Sequence, residues 1–281
     1  MTKRQVSLWI AAALLIAASL AQPMADSPND EPAPVTWEQV LALPNEGDAP
    51  TAHRYGPAPQ QTLLALRSAN HSRDALLLIH GGCWSNAYDR EHVLPMARAL
   101  VLEGFDVWIP EYRRVGDPGG GWPGTLDDVV SAVQYVTQKA GTVPWLLGHS
   151  AGGHLALRAA YAPDVSVAGV LAMAAITDLT SYAGQDGSCQ AMVPQLLDGT
   201  PENAPQRYRD ASIDSTRIGV PVRLLLGDSD PIVGADQLSG FRSSDTVSIA
   251  GAGHFDLIYP GTPAFHQVVD SLNRLMRHVS D

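Results

Sequence analysis

Short apolar stretches alternate with longer amphipathic stretches from about residue 61 to the C-terminus. A short apolar run bounded by turn residues is typical of a strand that is buried on both faces. A stretch with apolar residues every three or four positions is typical of a helix. The strands predicted in this way are 61–67, 74–80, 105–109, 143–147, 165–174, 220–226 and 246–250.

Helices are predicted between these strands. Gly104 is a typical C-cap of the first helix, and Thr125 is placed to cap the second. The predicted helices are 91–103, 126–139, 151–161, 235–241 and 263–279. Strands that alternate with helices predict an α/β fold with a mostly parallel sheet covered by helices on both faces. In such sheets the functional site lies beyond the carboxyl ends of the strands.

Two stretches do not fit the alternation. Residues 178–210 are irregular with short helical pieces, too long for an ordinary connection, and we expect them to form a small lid segment. Residues 22–50 are rich in Pro, Asp, Glu and Ala and are expected to be a linker or N-terminal extension. Within them, 36–43 could form a short amphipathic helix with Thr36 as its N-cap. The catalytic domain is then predicted to span 51–281.

The N-terminus has the pattern of an export signal. Lys3 and Arg4 precede an apolar stretch at 8–18, and Ser-Leu-Ala at 19–21 is a plausible cleavage site. The apolar stretch is short for a membrane span. We therefore expect residues 1–21 to be a signal peptide, and the mature protein to be periplasmic or secreted, without stable membrane association.

Composition narrows the class of protein. A chain of 281 residues with 45% hydrophobic residues can form one large domain with a substantial core. The net charge is −11, and removal of Lys3 and Arg4 with the signal peptide takes it to −13. This acidic balance argues against nucleic acid as a partner. The oligomeric state is left open.

The sequence Gly-His-Ser-Ala-Gly at residues 148–152 follows an apolar strand and precedes a predicted helix. This is the Gly-x-Ser-x-Gly pattern of a sharp strand-to-helix turn that carries a serine nucleophile, here Ser150. A serine hydroxyl needs a base, and the base needs an orienting carboxylate. In this type of fold the order along the chain is serine, acid, histidine.

The base and the acid are predicted from their places after later strands. His254 follows the last strand in a glycine-containing loop, and is the candidate base. Asp230, after strand 220–226, is the preferred acid, with Asp178 and Asp228 as alternatives. The candidate oxyanion hole, which would bind the charged oxygen of the transition state, combines the amides of Gly82 and Cys83 with that of Ala151.

At this point the sequence resembles α/β-hydrolases of the esterase type, in particular bacterial relatives of kynurenine formamidase (arylformamidase) and the BD-FAE-like hydrolases. The resemblance covers about residue 55 to the C-terminus. It rests on Tyr-Gly-Pro at 55–57, His-Gly-Gly-Cys-Trp at 80–84 and Gly-His-Ser-Ala-Gly-Gly-His at 148–154. It implies Ser150, Asp230 and His254 as a catalytic triad, in agreement with the assignment from strand order.

The function expected from these features is hydrolysis of a carboxylic ester, or of an aryl formamide or amide, in a small molecule. No metal or organic cofactor is implied. The alternatives are a serine peptidase of the prolyl-oligopeptidase type and, from another class, a non-catalytic binding protein with the same fold. The candidate side chains for the substrate pocket are aromatic: Trp84, Trp122, Tyr182 and Phe255.

The chain has two cysteines, so only one intramolecular disulfide is possible. Cys83 lies on the predicted oxyanion loop and Cys189 in the predicted lid segment. Export would permit the bond, but the sequence does not show whether the two residues are close enough to form it. If it forms, it would tie the lid segment to the site.

Overall fold

The computed structural model describes residues 33–69 and 74–280. Its centre is an eight-stranded sheet with the strand order β1-β2-β4-β3-β5-β6-β7-β8. The strands are β1 Thr51–Arg54, β2 Thr62–Leu66, β3 Ala75–Ile79, β4 Asp106–Pro110, β5 Trp145–His149, β6 Gly169–Met173, β7 Val222–Gly227 and β8 Thr246–Ile249. The predicted signal segment, 1–21, lies outside the described residues.

Six of the strands, β3 to β8, pair in parallel, whereas β1 and β2 pair antiparallel with their neighbours. Every position of β3, β5 and β6 is buried, which explains their apolar sequences, interrupted only by His149 at the end of β5. The sequence did not predict β1. Its four residues, Thr-Ala-His-Arg, lie at the sheet edge, mostly exposed, and so carry no apolar run.

The helices pack on the two faces of this sheet and in the segments that connect its strands. They are α1 Trp37–Leu41, α2 Leu94–Leu102, α3 Gly124–Ala140, α4 Ala151–Ala159, α5 Leu179–Ala183, α6 Val193–Leu196, α7 Pro205–Ala211 and α8 Pro263–Ser280. Single turns of 3₁₀ helix cover Arg90–Val93, Gln190–Met192, Ser215–Arg217, Ala235–Leu238 and Ser243–Asp245. A mostly parallel sheet with helices in its connections is the α/β architecture that the sequence predicts.

Two helix predictions need correction. Thr125 does not cap α3, because the helix already starts at Gly124 and its N-cap is Pro123. The Thr125 hydroxyl instead donates to the Arg113 carbonyl (2.7 Å) and accepts from the Gly121 amide (3.1 Å). The stretch predicted as helix 235–241 forms only a 3₁₀ turn over Ala235–Leu238.

The described residues belong to one compact unit, which includes residues 33–50, before the predicted start of the catalytic domain at residue 51. The reason is α1, whose Val40 side chain is buried in the core. Thr36 caps this helix as predicted: its hydroxyl accepts from the Gln39 amide, and the Gln39 side chain accepts from the Thr36 amide. Among the described residues, no helix is both long and apolar enough to cross a membrane.

Helix α4 packs very closely against the end of β3. A Cβ atom at Gly152 would lie 2.2 Å from the Ile79 carbonyl oxygen and 2.4 Å from that of His80. Both are backbone atoms, so no side-chain movement could relieve the contact. Glycine at this position therefore allows the turn that carries Ser150 to sit against the sheet.

We predict that Gly152→Ala destabilises the protein by about 1–3 kcal/mol, because overpacking forces the backbone to shift. The control is Gly219→Ala, since a Cβ there has no atom within 4 Å. Chemical denaturation of both variants checks the prediction. Equal stability of the two variants would contradict the close packing of α4 on β3.

Candidate active site

Ser150 occupies the turn between β5 and α4. Its backbone has φ 55° and ψ −121°, a conformation that is unfavourable for a residue with a side chain. The Ser150 amide donates to the Met173 carbonyl of the neighbouring strand (2.8 Å), which helps to hold the turn. Only 2% of the residue is exposed. The surrounding structure thus maintains a strained turn at the predicted nucleophile.

The loop after β3, residues 80–88, passes directly beside Ser150, and we call it the glycine loop. A Cβ at Gly81 would lie 3.2 Å from the Ser150 Cβ. Three consecutive residues of this loop, Gly82, Cys83 and Trp84, have positive φ angles of 104°, 53° and 55°. Such a run reverses the chain tightly, and it is closed by the hydrogen bond from the Ser85 amide to the Gly82 carbonyl (2.9 Å).

Three amides near Ser150 have no backbone acceptor within residues 33–69 and 74–280, namely those of Gly82, Cys83 and Ala151. Ala151 is the first residue of α4, where the helix dipole favours a negative charge. Gly82 and Cys83 belong to the tight turn of the glycine loop. These are the three amides predicted for the oxyanion hole.

The structure brings Asp230 and His254 into direct contact. Asp230 Oδ2 lies 2.7 Å from His254 Nδ1, and the side chains are 0% and 5% exposed. The other carboxylate oxygen of Asp230 accepts from the amides of Ile232 (2.8 Å) and Val233 (2.9 Å). Both oxygens of this buried carboxylate are therefore hydrogen-bonded, and Nε2 is left as the free nitrogen of the imidazole.

The two alternative acids have other partners. Asp178 caps α5 by accepting from the amides of Thr180 and Ser181. Asp228 accepts from the Gly251 amide (2.8 Å) and from the Ser229 hydroxyl (3.1 Å), and so supports the turns after β7 and β8. Of the three candidates, only Asp230 contacts His254.

His149, next to Ser150, is joined to the loop after β8, residues 250–256, which we call the histidine loop. Its Nε2 lies 3.0 Å from the His254 carbonyl, so this nitrogen carries the proton and donates. Burial and the nearby His254 lower the pKa of His149 well below its usual value, which keeps the ring neutral. A neutral His149 places no positive charge beside His254, whose ring centroid is 4.6 Å from that of His149.

Cys83 and Cys189 form the disulfide that the sequence left open. It joins the glycine loop to the 3₁₀ turn before α6. Two hydrogen bonds also hold the predicted lid segment. The Trp122 amide donates to the Leu196 carbonyl (2.8 Å), and Gln190 Nε2 donates to the Ile232 carbonyl (3.2 Å). The predicted lid segment is therefore attached to the glycine loop and to the loop of Asp230.

Two of the aromatic candidates for the substrate pocket are core residues. Trp84 is completely buried, and its Nε1–H donates to His154 Nδ1 (3.2 Å), so it does not line an open pocket. Tyr182 is also completely buried, and its hydroxyl donates to the Ile232 carbonyl (3.2 Å). Phe255 is half-buried, with its ring edge-on to His254 at 5.1 Å. Trp122 is half-buried beside Arg158.

A buried charged network below the glycine loop was not predicted as part of the site. Glu111 binds His80 Nε2 (3.0 Å) and Arg114 Nη1 (2.9 Å), and also accepts from the Arg90 amide (3.2 Å). Burial acts to raise the pKa of Glu111, but His80 and Arg114 outweigh it and lower the pKa to about 2. The sequence signal for this network is the Glu-Tyr-Arg motif at 111–113. The periodicity of the strands alone does not show that Glu111 lies beside His80.

No group of three or more His, Cys, Asp or Glu side chains is arranged to hold a metal ion in the described parts of the chain. The candidate site is thus built from a serine, an imidazole, a carboxylate and backbone amides.

Comparison with known proteins shows the family and the fold of the chain. Residues 64–244 match the model of the BD-FAE family. The chain belongs to the BD-FAE family. BD-FAE proteins are α/β-hydrolases of the esterase type, and this chain is accordingly an esterase-like hydrolase. No curated protein gives a significant match to the chain.

Solved esterase structures share the fold of this BD-FAE protein. Esterase B from Lactobacillus rhamnosis aligns with a TM-score of 0.66 at 17% identity, over 86% of this chain and 90% of that one. A truncated carbohydrate esterase from gut microbiota has a TM-score of 0.66 at 16% identity, over 83% and 98% of the two chains. A thermophilic esterase from Thermogutta terrifontis has a TM-score of 0.61 at 16% identity, over 86% of this chain and 97% of that one.

We predict that the two cysteines stabilise the BD-FAE domain through their bond. The bond closes a loop of 106 residues, for which chain entropy gives about 4–5 kcal/mol. Cys189→Ser should therefore lower the melting temperature, and reduction should have no further effect on this variant. Calorimetry with and without reductant is the measurement. A reduced wild-type protein as stable as the oxidised one would contradict the prediction.

Acid should destabilise the protein below about pH 6.5. Burial, together with Arg158, lowers the pKa of His154 to about 4 despite its bond to the Ala211 carbonyl. The unfolded chain, with an ordinary histidine pKa, then binds more protons than the folded one, so stability falls as the pH decreases from 6.5 towards 4. The loss is on the order of 2–3 kcal/mol at pH 4.

His154→Gln tests this contribution, because an amide keeps one donor and one acceptor but does not titrate. Its melting temperature should fall less steeply with decreasing pH than that of the wild type. His266→Gln, which changes an exposed histidine of α8, is the control and should keep the wild-type slope. Parallel slopes for all three proteins would exclude a role of His154 in the pH dependence.

Proposed function

We propose that Ser150, His254 and Asp230 form a catalytic triad that hydrolyses a carboxylic ester through an acyl-enzyme. The observation that carries the proposal is the shielded 2.7 Å contact between Asp230 Oδ2 and His254 Nδ1. This contact leaves Nε2 free to act as a base. The strained turn at Ser150, on the same carboxyl edge of the sheet, supports the assignment of the nucleophile.

In the first half of the reaction, Ser150 Oγ attacks the ester carbonyl carbon while its proton passes to His254 Nε2. The imidazolium that forms is stabilised by the Asp230 carboxylate. The carbonyl oxygen becomes an oxyanion, which would accept hydrogen bonds from the amides of Cys83 and Ala151, with Gly82 in the same turn. The intermediate then releases the alcohol, which takes the proton from His254.

In the second half, water attacks the acyl-enzyme. His254 removes one proton from the water, the tetrahedral intermediate forms in the same oxyanion hole, and Ser150 is released when the proton returns to Oγ. The carboxylic acid is the second product. Each step uses groups already present, and the net reaction consumes one water and one ester.

Small-molecule esters are the substrate class we propose, with Phe255 and Trp122 as candidate contacts. Phe255 is supported by its position next to His254. Esterase B, one of the structural neighbours, is inhibited by a tributyrin phosphonate, and another neighbour is a carbohydrate esterase. Short-chain acyl esters are therefore the first substrates to test, followed by an aryl formamide and a peptide as alternatives.

We also propose that the protein acts outside the cytoplasm. The charged and apolar pattern of residues 1–21 supports export, and the disulfide between Cys83 and Cys189 is compatible with an oxidising compartment. Fractionation of cells that express the full chain tests the proposal, since export predicts a shortened protein in the periplasm or medium. Full-length protein in the cytoplasm would overturn it.

Substitution of the proposed triad residues should reduce activity far more than substitution of another aspartate. Ser150→Ala should abolish fluorophosphonate labelling and reduce 4-nitrophenyl butyrate hydrolysis to background. Asp230→Asn should lower kcat by about 10³–10⁴-fold, because the imidazole loses its orienting charge. Steady-state kinetics and mass spectrometry of the labelled peptide provide the measurements.

Asp178→Asn is the matched control, because asparagine can still cap α5 and the substitution removes the same charge elsewhere. It should keep activity within about twofold. Labelling that persists in Ser150→Ala, or equal losses for the two aspartate variants, would refute the triad.

A further inference from the structure

Trp37 in α1 contacts two loops of the candidate site that are far apart in the sequence. Its ring lies edge-on to Tyr88, with centroids 5.5 Å apart, and also 5.5 Å from the ring of Phe255. Tyr88 belongs to the glycine loop, whereas Phe255 belongs to the histidine loop. One half-buried side chain thus touches both.

On the histidine loop, the contact reaches the candidate base directly. Phe255 follows His254 in the sequence, and their rings are edge-on at 5.1 Å. The Asp256 carboxylate adds a backbone link, since its Oδ2 accepts from the Gly253 amide (3.0 Å) and from the Val35 amide (2.9 Å). The chain just before α1 is therefore hydrogen-bonded through Asp256 to the loop that carries His254.

On the glycine loop, the contact reaches a candidate oxyanion residue. A Cβ at Gly82 would lie only 2.5 Å from the Tyr88 Cβ, so Tyr88 packs against Gly82 without a gap. Trp37 also lies 5.1 Å from His92, which is buried beneath the same loop. A movement of the Trp37 ring would therefore shift the Tyr88 side chain, and through it the backbone at Gly82.

We propose that Trp37 is a positioning residue that fixes the glycine loop and the histidine loop relative to each other. The catalytic consequence rests on the proposed function. Attack by Ser150 requires the base and the oxyanion amides in place at the same time, and small misplacements of such groups are costly in rate. The indole is edge-on to Tyr88 and tilted by 45° to Phe255. Such aromatic contacts are attractive and depend on orientation, so the indole can fix the relative position of the loops and not merely fill space.

The test compares Trp37→Ala with Trp37→Phe and Val40→Ala in the full chain. Val40→Ala shortens a buried side chain of the same helix but keeps the indole. For hydrolysis of 4-nitrophenyl butyrate, Trp37→Ala should lower kcat at least tenfold with KM changed less than threefold. Trp37→Phe, which keeps an aromatic ring, should recover most of the activity, and Val40→Ala should stay within about threefold.

A second measurement does not depend on catalysis. Hydrogen–deuterium exchange of peptides that cover residues 80–88 and 250–256 should become faster in both loops in Trp37→Ala, and in neither in Val40→Ala. Faster exchange in only one loop, no change in either, or equal losses of kcat in the alanine variants would overturn the proposal. Wild-type protein that hydrolyses no ester and takes no fluorophosphonate label would refute the proposed function alone, and exchange would then decide the role of Trp37.

Discussion

The unfavourable backbone conformation at Ser150 is the constraint on which the site depends. A residue with a positive φ between a strand and a helix persists only where the surrounding packing leaves it no alternative. Here the packing comes from backbone carbonyls of residues 79 and 80, which approach Gly152 more closely than a side chain would allow. The same approach places the glycine loop over the serine. The contact between α4 and β3, together with the bond from the Ser150 amide to the Met173 carbonyl, therefore holds the strained turn in place.

The remaining parts of the site are attached to this centre by few but well-buried contacts. His149 joins the turn to the backbone of the histidine loop. The disulfide and the bond from His154 to the Ala211 carbonyl (2.8 Å) join it to the segment between β6 and β7. Because these contacts use neutral imidazoles and a covalent bond, they add little charge near the base. Asp230 is the carboxylate in direct contact with the His254 ring.

The sequence predicted the buried strands and the order of the triad candidates because these features depend on local patterns. β3 is continuously apolar and β5 is apolar up to Leu147, and Ser150, Asp230 and His254 each follow a strand whose end lies at the same edge of the sheet. Features that depend on long-range packing were not predictable in this way. The burial of Trp84 and the docking of α1 through Trp37 are decided by neighbours 70 or more residues away in the chain. The edge strand β1 pairs with the nearby β2, but its polar residues give no apolar pattern.

The disulfide also constrains when the site can be completed during biosynthesis. A chain made from its N-terminus contains Cys83 early, but its partner emerges only after about two-thirds of the residues have been added. Until then Cys83 has no partner, and β7 and β8, which precede the loops of Asp230 and His254, do not yet exist. A partly synthesised chain can thus contain the sequence of the Ser150 turn without Asp230 and His254. The site that we propose is therefore complete only when segments from both halves of the given sequence have folded together.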